Sequence, residues 1–335
     1  MMETPQPKPN GITRNGTKVC LNIKGKQYLF DTHSPLLGKG AMGEVFRGIE
    51  ASTGKAVAIK RVNPKYANNP DIRRRAHQEA RLEFDHPNLV QMLGCCEVSP
   101  NKGDIFIVSR MVSGQNIDQF INENIRSLPQ PEHRICELFM PVLDALGYLH
   151  EKSILHLDIK PSNIMMEKGK NLRLMDLCIA DVAQAQVTDN DTITSSVMGT
   201  PRYAAPEQFK SNKDNDKNLL SKATDIYEAG VTLYELITQK NPFHGPTIVE
   251  FRKQHETKAL QPTKFISASV LHVLQKATAV NPKDRYQTVW EMKTALKQAL
   301  AVKPKSWWEQ YWWIVAITIT MLLIVVFALI YYIIW

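Results

Sequence analysis

Two groups of residues have types and spacings that suit chemistry on phosphate groups. The first is the pattern G-x-G-x-x-G formed by Gly38, Gly40 and Gly43, where glycine lets the backbone approach a phosphate closely. Strand-like residues follow it, whereas a dinucleotide-binding unit would need a helix at that point. Lys60 ends the apolar run 57–59. A lone strand lysine is normally a solvated edge residue, but the glycine pattern makes Lys60 a candidate phosphate ligand.

The second group lies in the middle of the chain and is richer in polar side chains. The segment 156–163 reads HLDIKPSN, and Asp176 follows thirteen residues after Asn163. Gly199-Thr200 and Ala205-Pro206-Glu207 come next. Each motif alone could arise by chance. Together, in this order and at these spacings, they resemble the signature set of the protein kinase family.

The resemblance implies ATP as a cofactor, with Mg²⁺ or Mn²⁺ as the metal, and it assigns roles to individual side chains. Lys60 would hold the α- and β-phosphates, and Asp158 would accept or orient the proton of the substrate hydroxyl. Lys160 would neutralise the transferring phosphoryl group, while Asn163 and Asp176 would hold the metal ions. Phosphoryl transfer needs such a set because it depends mainly on positioning and charge neutralisation.

The same resemblance, which covers residues 31–300, implies a nucleotide pocket. Counting along the strand-like run IFIVSRMV places Ser109 at the gate of the adenine pocket and Arg110–Val112 at the hinge. The predicted nucleotide-binding residues belong to the glycine loop, to the positions that would contact adenine and to the hinge. The predicted nucleotide-binding residues are Leu37, Gly38, Gly40, Gly43, Val45, Ala58, Lys60, Glu79, Ser109, Met111 and Met165.

Three positions depart from the family pattern. Leu157 lies directly before the catalytic aspartate, where many kinases carry an arginine that grips a phosphate on the activation segment. The metal motif reads Asp-Leu-Cys over residues 176–178 in place of Asp-Phe-Gly. The glutamate expected to pair with the strand lysine is Glu79, with Glu83 as the alternative. None of these departures removes a group that touches ATP, the metal or the acceptor hydroxyl.

The substrate class also has a sequence signal. The lysine two residues after Asp158, together with Gly199-Thr200-Pro201, resembles serine/threonine kinases rather than tyrosine kinases. We therefore expect transfer of the ATP γ-phosphate to Ser and Thr hydroxyls of cytoplasmic proteins. The alternative is a catalytically weak pseudokinase that serves as a nucleotide-binding scaffold at a membrane. Hydroxyl residues between 188 and 200 suggest autophosphorylation, and with it self-association.

The elements that must position these residues change in character along the chain. Residues 18–30 alternate between apolar and polar and predict a hairpin, whereas long amphipathic helices are predicted after Pro131. This order predicts an α+β fold with two lobes, the two-lobed protein-kinase fold, with a small β-rich N-lobe to about residue 112 and a larger helical C-lobe. The expected kinase domain is 18–302, preceded by a flexible tail over 1–17.

The C-terminal residues 311–335 carry no charge. As a helix they would reach roughly 37 Å, enough to cross a hydrocarbon core of about 30 Å. Aromatic residues cluster at both ends, and lysines precede the stretch, so the positive-inside rule places the kinase domain in the cytoplasm. We expect a single-pass transmembrane helix in the lipid bilayer, at the bacterial inner membrane, after a juxtamembrane linker over 303–310. No external domain is expected after Trp335.

Composition excludes several other classes of protein. The net charge is +8, but no run of five basic residues occurs, and the triplet 73–75 is the densest cluster, so no nucleic-acid partner is expected. Five cysteines without a C-x-x-C pair argue against a disulfide scaffold and against a zinc site.

Overall fold

The chain forms a strand-rich lobe followed by a helix-rich lobe. The strand-rich lobe ends with Arg110, and the first described helix of the other lobe begins at Ile117. The predicted α+β arrangement of a β-rich lobe and a helical lobe is thus confirmed. The computed structural model describes residues 11–40, 43–64, 70, 73–74, 76–77, 84–99, 102–176, 200–209, 220–301 and 307–334.

The N-lobe is built on one antiparallel sheet with the strand order β1-β2-β3-β5-β6-β8-β7, and β4 pairs with β5. Strands β1 and β2 also contact β7 at the other end of this order, so the sheet curls back on itself. The strands are β1 (Gly11–Asn15), β2 (Lys18–Ile23), β3 (Lys26–Asp31), β4 (Gly38–Gly40), β5 (Gly43–Glu50), β6 (Ala56–Val62), β7 (Met92–Ser99) and β8 (Lys102–Arg110).

The hairpin predicted near the start of the chain is formed by β2 and β3. Its two-residue turn consists of Lys24 and Gly25, with φ angles of 49° and 79°. Two positive φ angles suit the right-handed twist of the paired strands. Val19, Leu21 and Ile23 are buried, because alternate residues of a strand face the same side of the sheet.

The flexible tail predicted for residues 1–17 is wrong in its second half. Gly11–Asn15 form β1, which pairs with β2 along its whole length. Arg14 Nη2 also lies 2.5 Å from Asp104 Oδ2 on β8. This strand carries little hydrophobic alternation of its own, so its conformation depends on the neighbouring strand, which a local pattern does not reveal. Residues 1–10 lie outside the described part of the chain.

The N-lobe sheet has an apolar cluster on each face. Strand β8 contributes to both, because Phe106 and Val108 point to one face and Ile105 and Ile107 to the other. The first cluster joins the three N-terminal strands to the rest of the sheet. It consists of Val19, Leu21, Ile23, Tyr28, Phe30, Phe46, Val57, Ile59, Cys96, Phe106 and Val108.

The C-lobe is a helical bundle around one large core. In α3, every residue except Lys222 and Glu235 is buried, so this helix forms the centre of the lobe. The helices of the bundle are α1 (Ile117–Asn124), α2 (Pro131–Glu151), α3 (Lys222–Thr238), α4 (Ile248–Thr257), α5 (Ala268–Ala277) and α6 (Val289–Ala301). A further helix, α7 (Trp307–Ile334), follows them in the chain. Helices α2, α5 and α6 pack around α3.

A small sheet of order β11-β10-β9 lies where the two lobes meet. Its strands are β9 (Gly114–Asn116), β10 (Ile164–Glu167) and β11 (Asn171–Leu174). Leu174 is tied to the segment leading into β7, since its N–H donates to Asn88 O and its carbonyl accepts from Val90 N. The segments on either side of β10 and β11 carry the predicted catalytic and metal-binding residues.

Helix α7 runs without interruption from Trp307 to Ile334. Its described side chains are those from Trp312 to Val326, together with Ala328. Within the part of the chain that the structure describes, no helix combines the length and the hydropathy that crossing a bilayer requires. The span predicted over 311–335 therefore stays a prediction, as does the linker over 303–310.

Candidate active site

A cleft of about 670 Å³ separates the two lobes. Its wall combines residues from the glycine loop, from β6 and β8, from the hinge and from β10. Most of the predicted nucleotide-binding residues meet here. Those lining the cleft are Leu37, Gly38, Val45, Ala58, Lys60, Ser109, Met111 and Met165, and the predicted metal ligand Asp176 joins them.

The glycine loop is a tight antiparallel pairing of β4 with β5, in which Gly40 lies opposite Gly43. Gly43 has a φ of +147°, and a Cβ atom added there would lie 1.9 Å from Arg61 O. Any larger residue would therefore collide with the backbone of β6. At Gly38 and Gly40 an added Cβ atom would meet nothing within 4 Å, so space for a ligand, rather than packing, accounts for glycine there.

Lys60 reaches into the cleft from β6, where it pairs with Val45 on β5. Its Nζ atom lies 3.7 Å from Asp176 Oδ1. The side chains are 22% and 46% exposed, so both can meet a ligand entering the cleft. The predicted partners Glu79 and Glu83 lie outside the described residues.

Three polar side chains surround the carboxylate of Asp158 in the catalytic loop. Lys160 Nζ donates to Asp158 Oδ2 at 2.7 Å and to Thr200 Oγ1 at 2.6 Å. Thr200 Oγ1 in turn donates to Asp158 Oδ1 at 2.9 Å. Asn163 Nδ2 donates to both the backbone carbonyl and Oδ2 of Asp158, at 2.8 and 2.9 Å. The carboxylate is thus fixed by three donors.

The same contacts set the charge of Asp158. Burial acts to raise the pKa of this carboxyl, but the Lys160 ammonium and the hydrogen bonds from Thr200 and Asn163 outweigh it. The pKa of Asp158 is therefore held below its ordinary value. Asp158 is ionised at neutral pH and can accept a hydrogen bond from an incoming hydroxyl.

The backbone of the catalytic loop is held from below by Asp225 at the start of α3. Its side chain is fully buried and accepts from His156 N at 2.9 Å and from Leu157 N at 2.8 Å. His150 Nε2 lies 2.7 Å from the same carboxylate. Hydrogen bonds to an ionised acceptor are stronger than neutral ones. Asp225 therefore stabilises Leu157 in a left-handed conformation, with a φ of 61°, that costs about 1–3 kcal/mol.

Leu157 is fully buried and packs against Leu155 and Leu220. The family's arginine at this position would present a guanidinium to the activation segment, whereas leucine presents only carbon. The departure noted in the sequence thus fills an apolar cluster and offers no hydrogen-bond donor to a phosphate.

His156 connects the catalytic loop to the segment that carries Asp176. Its Nε2 atom lies 3.0 Å from Met175 O, and Asp158 N donates to its Nδ1 atom at 3.3 Å. Because a carbonyl can only accept, Nε2 carries the proton and Nδ1 is the acceptor. Met175 N also donates to Asn163 O at 2.9 Å. These bonds fix the chain just before Asp176, whose φ of 54° turns it toward the cleft.

The two predicted metal ligands, Asp176 and Asn163, carry oxygen donors of the kind that a hard cation prefers. An exposed carboxylate at Asp176 and the amide oxygen of Asn163 are ligands that Mg²⁺ prefers, and Mg²⁺ binds proteins through one or two such groups plus substrate phosphates. Among the described residues there is no group of three or more His, Cys, Asp and Glu side chains that could hold a metal by itself.

The segment after Thr200 is anchored by a buried ion pair. Arg285 donates to both oxygens of Glu207, at 2.7 and 2.8 Å, and both side chains are almost fully buried. Thr224 Oγ1 adds a third donor to Glu207 at 2.8 Å, and Arg285 lies over the ring of Tyr227. Together these bonds tie residues 200–207, called the substrate loop below, to α3.

Sequence reasoning missed a second buried carboxyl beneath the catalytic loop. Glu228 Oε2 accepts from Ile159 N at 2.8 Å, and Oε1 accepts from Gln208 Nε2 at 2.9 Å. Burial, together with the nearby charge of Asp225, raises its pKa well above the ordinary value. The only signal available was a charged residue within an otherwise apolar helix pattern. Glu228 links Ile159, between the two catalytic side chains, to the substrate loop.

Comparison with known proteins identifies the family. The protein kinase domain family matches residues 32–300, which is most of the chain. The chain belongs to the protein kinase family. Among similar proteins are the probable serine/threonine-protein kinase SCO3848 of Streptomyces coelicolor, 31% identical over 81% of this chain, and PrkC of Bacillus subtilis, 32% identical over 79%. This kinase chain spans about two-fifths of the length of these relatives, 40% and 39% respectively.

A solved kinase structure has the same fold. A double mutant of the PknI kinase domain of Mycobacterium tuberculosis aligns with a TM-score of 0.57. The alignment covers 82% of this chain and 96% of that one at 24% sequence identity. The two-lobed kinase fold expected from the motifs is thereby confirmed.

Proposed function

We propose that the chain is an active serine/threonine protein kinase that transfers the γ-phosphate of ATP to Ser and Thr hydroxyls of cytoplasmic proteins. The arrangement around Asp158 carries this proposal. One ionised carboxylate, one ammonium and one hydroxyl lie within hydrogen-bonding distance of each other. A scaffold that only bound nucleotide would not need this arrangement.

Each side chain has a task in the proposed reaction. The acceptor hydroxyl of a substrate would donate its hydrogen bond to the Asp158 carboxylate, which orients the oxygen toward the γ-phosphate. Since the pKa of Asp158 is held low, this carboxylate is a weak base, and it aligns the hydroxyl more than it withdraws the proton early. Lys160, already at 2.7 Å from Asp158, would neutralise charge on the transferring group.

Lys60 would bind the α- and β-phosphates from the N-lobe side of the cleft, while Asp176 and Asn163 would hold Mg²⁺. The bound metal supplies charge neutralisation on the phosphate oxygens. Ser109, Met111 and Met165 give the adenine end of the cleft an apolar to weakly polar wall. Rates follow from alignment of these groups rather than from covalent chemistry.

A transfer assay tests the proposal against the pseudokinase alternative. The full chain is incubated with γ-labelled ATP, Mg²⁺ and myelin basic protein, and labelled phosphoserine and phosphothreonine are quantified. Asp158→Asn serves as the matched variant, because it keeps the shape and loses the charge. We expect its turnover to fall by about 10²–10⁴-fold with ATP affinity nearly unchanged. Equal transfer by parent and variant, or none by the parent, would overturn the proposal.

We further propose that residues 311–335 anchor the kinase as a single-pass helix in a bacterial inner membrane, with the kinase domain in the cytoplasm. The support is the absence of charge over these 25 residues, the aromatic residues at both ends and the lysines before them. Fractionation compares the full chain with a chain ending at Ala301. The full chain should stay in the membrane pellet through carbonate washing, and a washed-out full chain would refute the anchor.

A further inference from the structure

His255 on α4 is a buried histidine to which the reaction assigns no role. It is 1% exposed and lies beside three aromatic rings, of which Phe243 is the nearest, with ring centroids 3.8 Å apart. The rings of Phe209 and Tyr227 lie at 5.5 and 5.7 Å. A histidine confined in this way cannot change rotamer without disturbing the helix packing.

Both ring nitrogens of His255 have a partner, and the partners fix the proton. Nε2 lies 2.9 Å from Pro201 O, and Nδ1 lies 2.7 Å from the Tyr227 hydroxyl. The proline carbonyl can only accept, so Nε2 donates to it and Nδ1 accepts from Tyr227. Burial lowers the pKa of His255 to about 4, so the neutral ring with this proton arrangement persists at physiological pH.

Pro201 directly follows Thr200, whose hydroxyl contacts both Asp158 and Lys160. Tyr203 N and Ala204 N donate back to Thr200 O, which closes a turn over this segment. The far end of the substrate loop is already anchored through Glu207. At the near end, next to the catalytic carboxylate, the hydrogen bond from His255 to Pro201 O adds a main-chain link to the side-chain contacts of Thr200.

We propose that His255 is a positioning residue that holds residues 200–204 against the catalytic loop, so that a protein substrate meets a preformed surface beside Asp158. The proposal rests on the proposed kinase activity and names one residue on which the use of the protein substrate depends. Losing His255 should weaken the use of the acceptor protein and leave ATP binding intact, because no atom of His255 lines the nucleotide cleft.

Three variants of the full chain separate this role from a general loss of stability. His255→Gln can keep an N–H group near the position of Nε2, and His255→Asn is too short to reach Pro201. Tyr227→Phe is the matched control, because it removes the donor to Nδ1 and leaves the bond to Pro201. Steady-state kinetics with myelin basic protein and ATP give the KM of each substrate and kcat.

We expect His255→Asn to lower kcat/KM for the acceptor protein by about fivefold to tenfold, as for the loss of one hydrogen bond, with the KM for ATP within twofold of the parent. His255→Gln and Tyr227→Phe should remain within about threefold of the parent. Equal losses in the Asn and Gln variants, or a matching loss of ATP affinity, would overturn the positioning role.

Hydrogen exchange gives a readout that does not need catalysis. The amides of Tyr203 and Ala204, bonded to Thr200 O, should exchange about tenfold faster in His255→Asn and at the parental rate in His255→Gln. If the parent transfers no phosphate, the proposed function fails while this measurement still decides the role of His255. Unchanged exchange in His255→Asn would refute the positioning role.

Discussion

The two sides of the active-site cleft are held in different ways. On the C-lobe side, Asp225, Glu207 and Arg285 are almost fully buried, and each makes several hydrogen bonds. On the N-lobe side, Lys60 lies 3.7 Å from Asp176 across the cleft, and the two side chains are 22% and 46% exposed. The C-lobe side is thus preorganised by the fold, whereas the N-lobe side presents charges that a nucleotide and its metal can engage. Substitutions on the C-lobe side should therefore mainly change the free energy of unfolding, whereas substitutions on the N-lobe side should mainly change catalytic activity.

The largest contrast should come from removing one cation on each side. Arg285→Ala leaves the Glu207 carboxylate buried without its partner, and breaking such a pair costs about 3–5 kcal/mol. Lys60→Met removes a partly exposed contact, so its effect on the free energy of unfolding should stay below about 1 kcal/mol while phosphoryl transfer is lost. Urea unfolding and the transfer assay on both full-length variants test the contrast. Similar unfolding midpoints for the two variants would contradict it.

Acid should act on the C-lobe side through its buried histidines. Burial lowers the pKa of His255 to about 4 and lowers that of His156, whereas unfolded histidine titrates near 6.5. The unfolded chain then binds more protons below pH 6.5, so stability falls as the pH drops from 6.5 toward 4. His255 alone should account for about 2 kcal/mol between pH 7.5 and 5. In His255→Gln this part of the loss should be absent from urea titrations at the two pH values.

Two glycines of the glycine loop, Gly43 and Gly38, should differ in how much an added methyl group lowers stability. Gly43→Ala would place a methyl group against Arg61 O at a positive φ, so it should cost about 1–2 kcal/mol of stability and reduce activity. Gly38→Ala meets open space and should change stability by less than about 0.5 kcal/mol. Thermal unfolding of the two variants measures the difference. A larger loss in Gly38→Ala would mean that the loop is not limited by the backbone of β6.

The smallest expected effect concerns the hydroxyl residues between 188 and 196, which lie outside the described residues. Leu157 is packed among apolar side chains and offers no hydrogen-bond donor. A phosphate on residues 188–196 therefore cannot bind the catalytic loop through Leu157. Replacing Thr188, Thr192, Thr194, Ser195 and Ser196 with Ala together should change turnover within about threefold, less than about 1 kcal/mol of barrier. A hundredfold drop, restored by acidic replacements, would show that another basic residue reads the phosphate.

The catalytic motifs could be placed from sequence because their order and spacing are constrained by chemistry. Lys160 and Asn163 both donate to the carboxylate of Asp158, and the family resemblance had singled out these three residues; their catalytic roles stay predictions. The groups that hold them could not be found in this way, since His255 and Glu228 act through partners far along the chain. The sequence around a buried polar residue in a helix does not show which distant residue is its hydrogen-bond partner. The strand at residues 11–15 was missed for a related reason, because its extended conformation depends on its pairing with β2 and not on its own sequence pattern.

The three N-terminal strands also determine where a recombinant fragment of this kinase can begin. The family match begins at residue 32, but β1 to β3 lie before that point and cover Phe46, Ile59 and Phe106 with their own apolar side chains. A fragment trimmed to the family boundary would leave one wall of the N-lobe facing water, a surface prone to aggregation. The folding unit therefore begins about twenty residues upstream of the homologous one, and a recombinant fragment should start before Gly11.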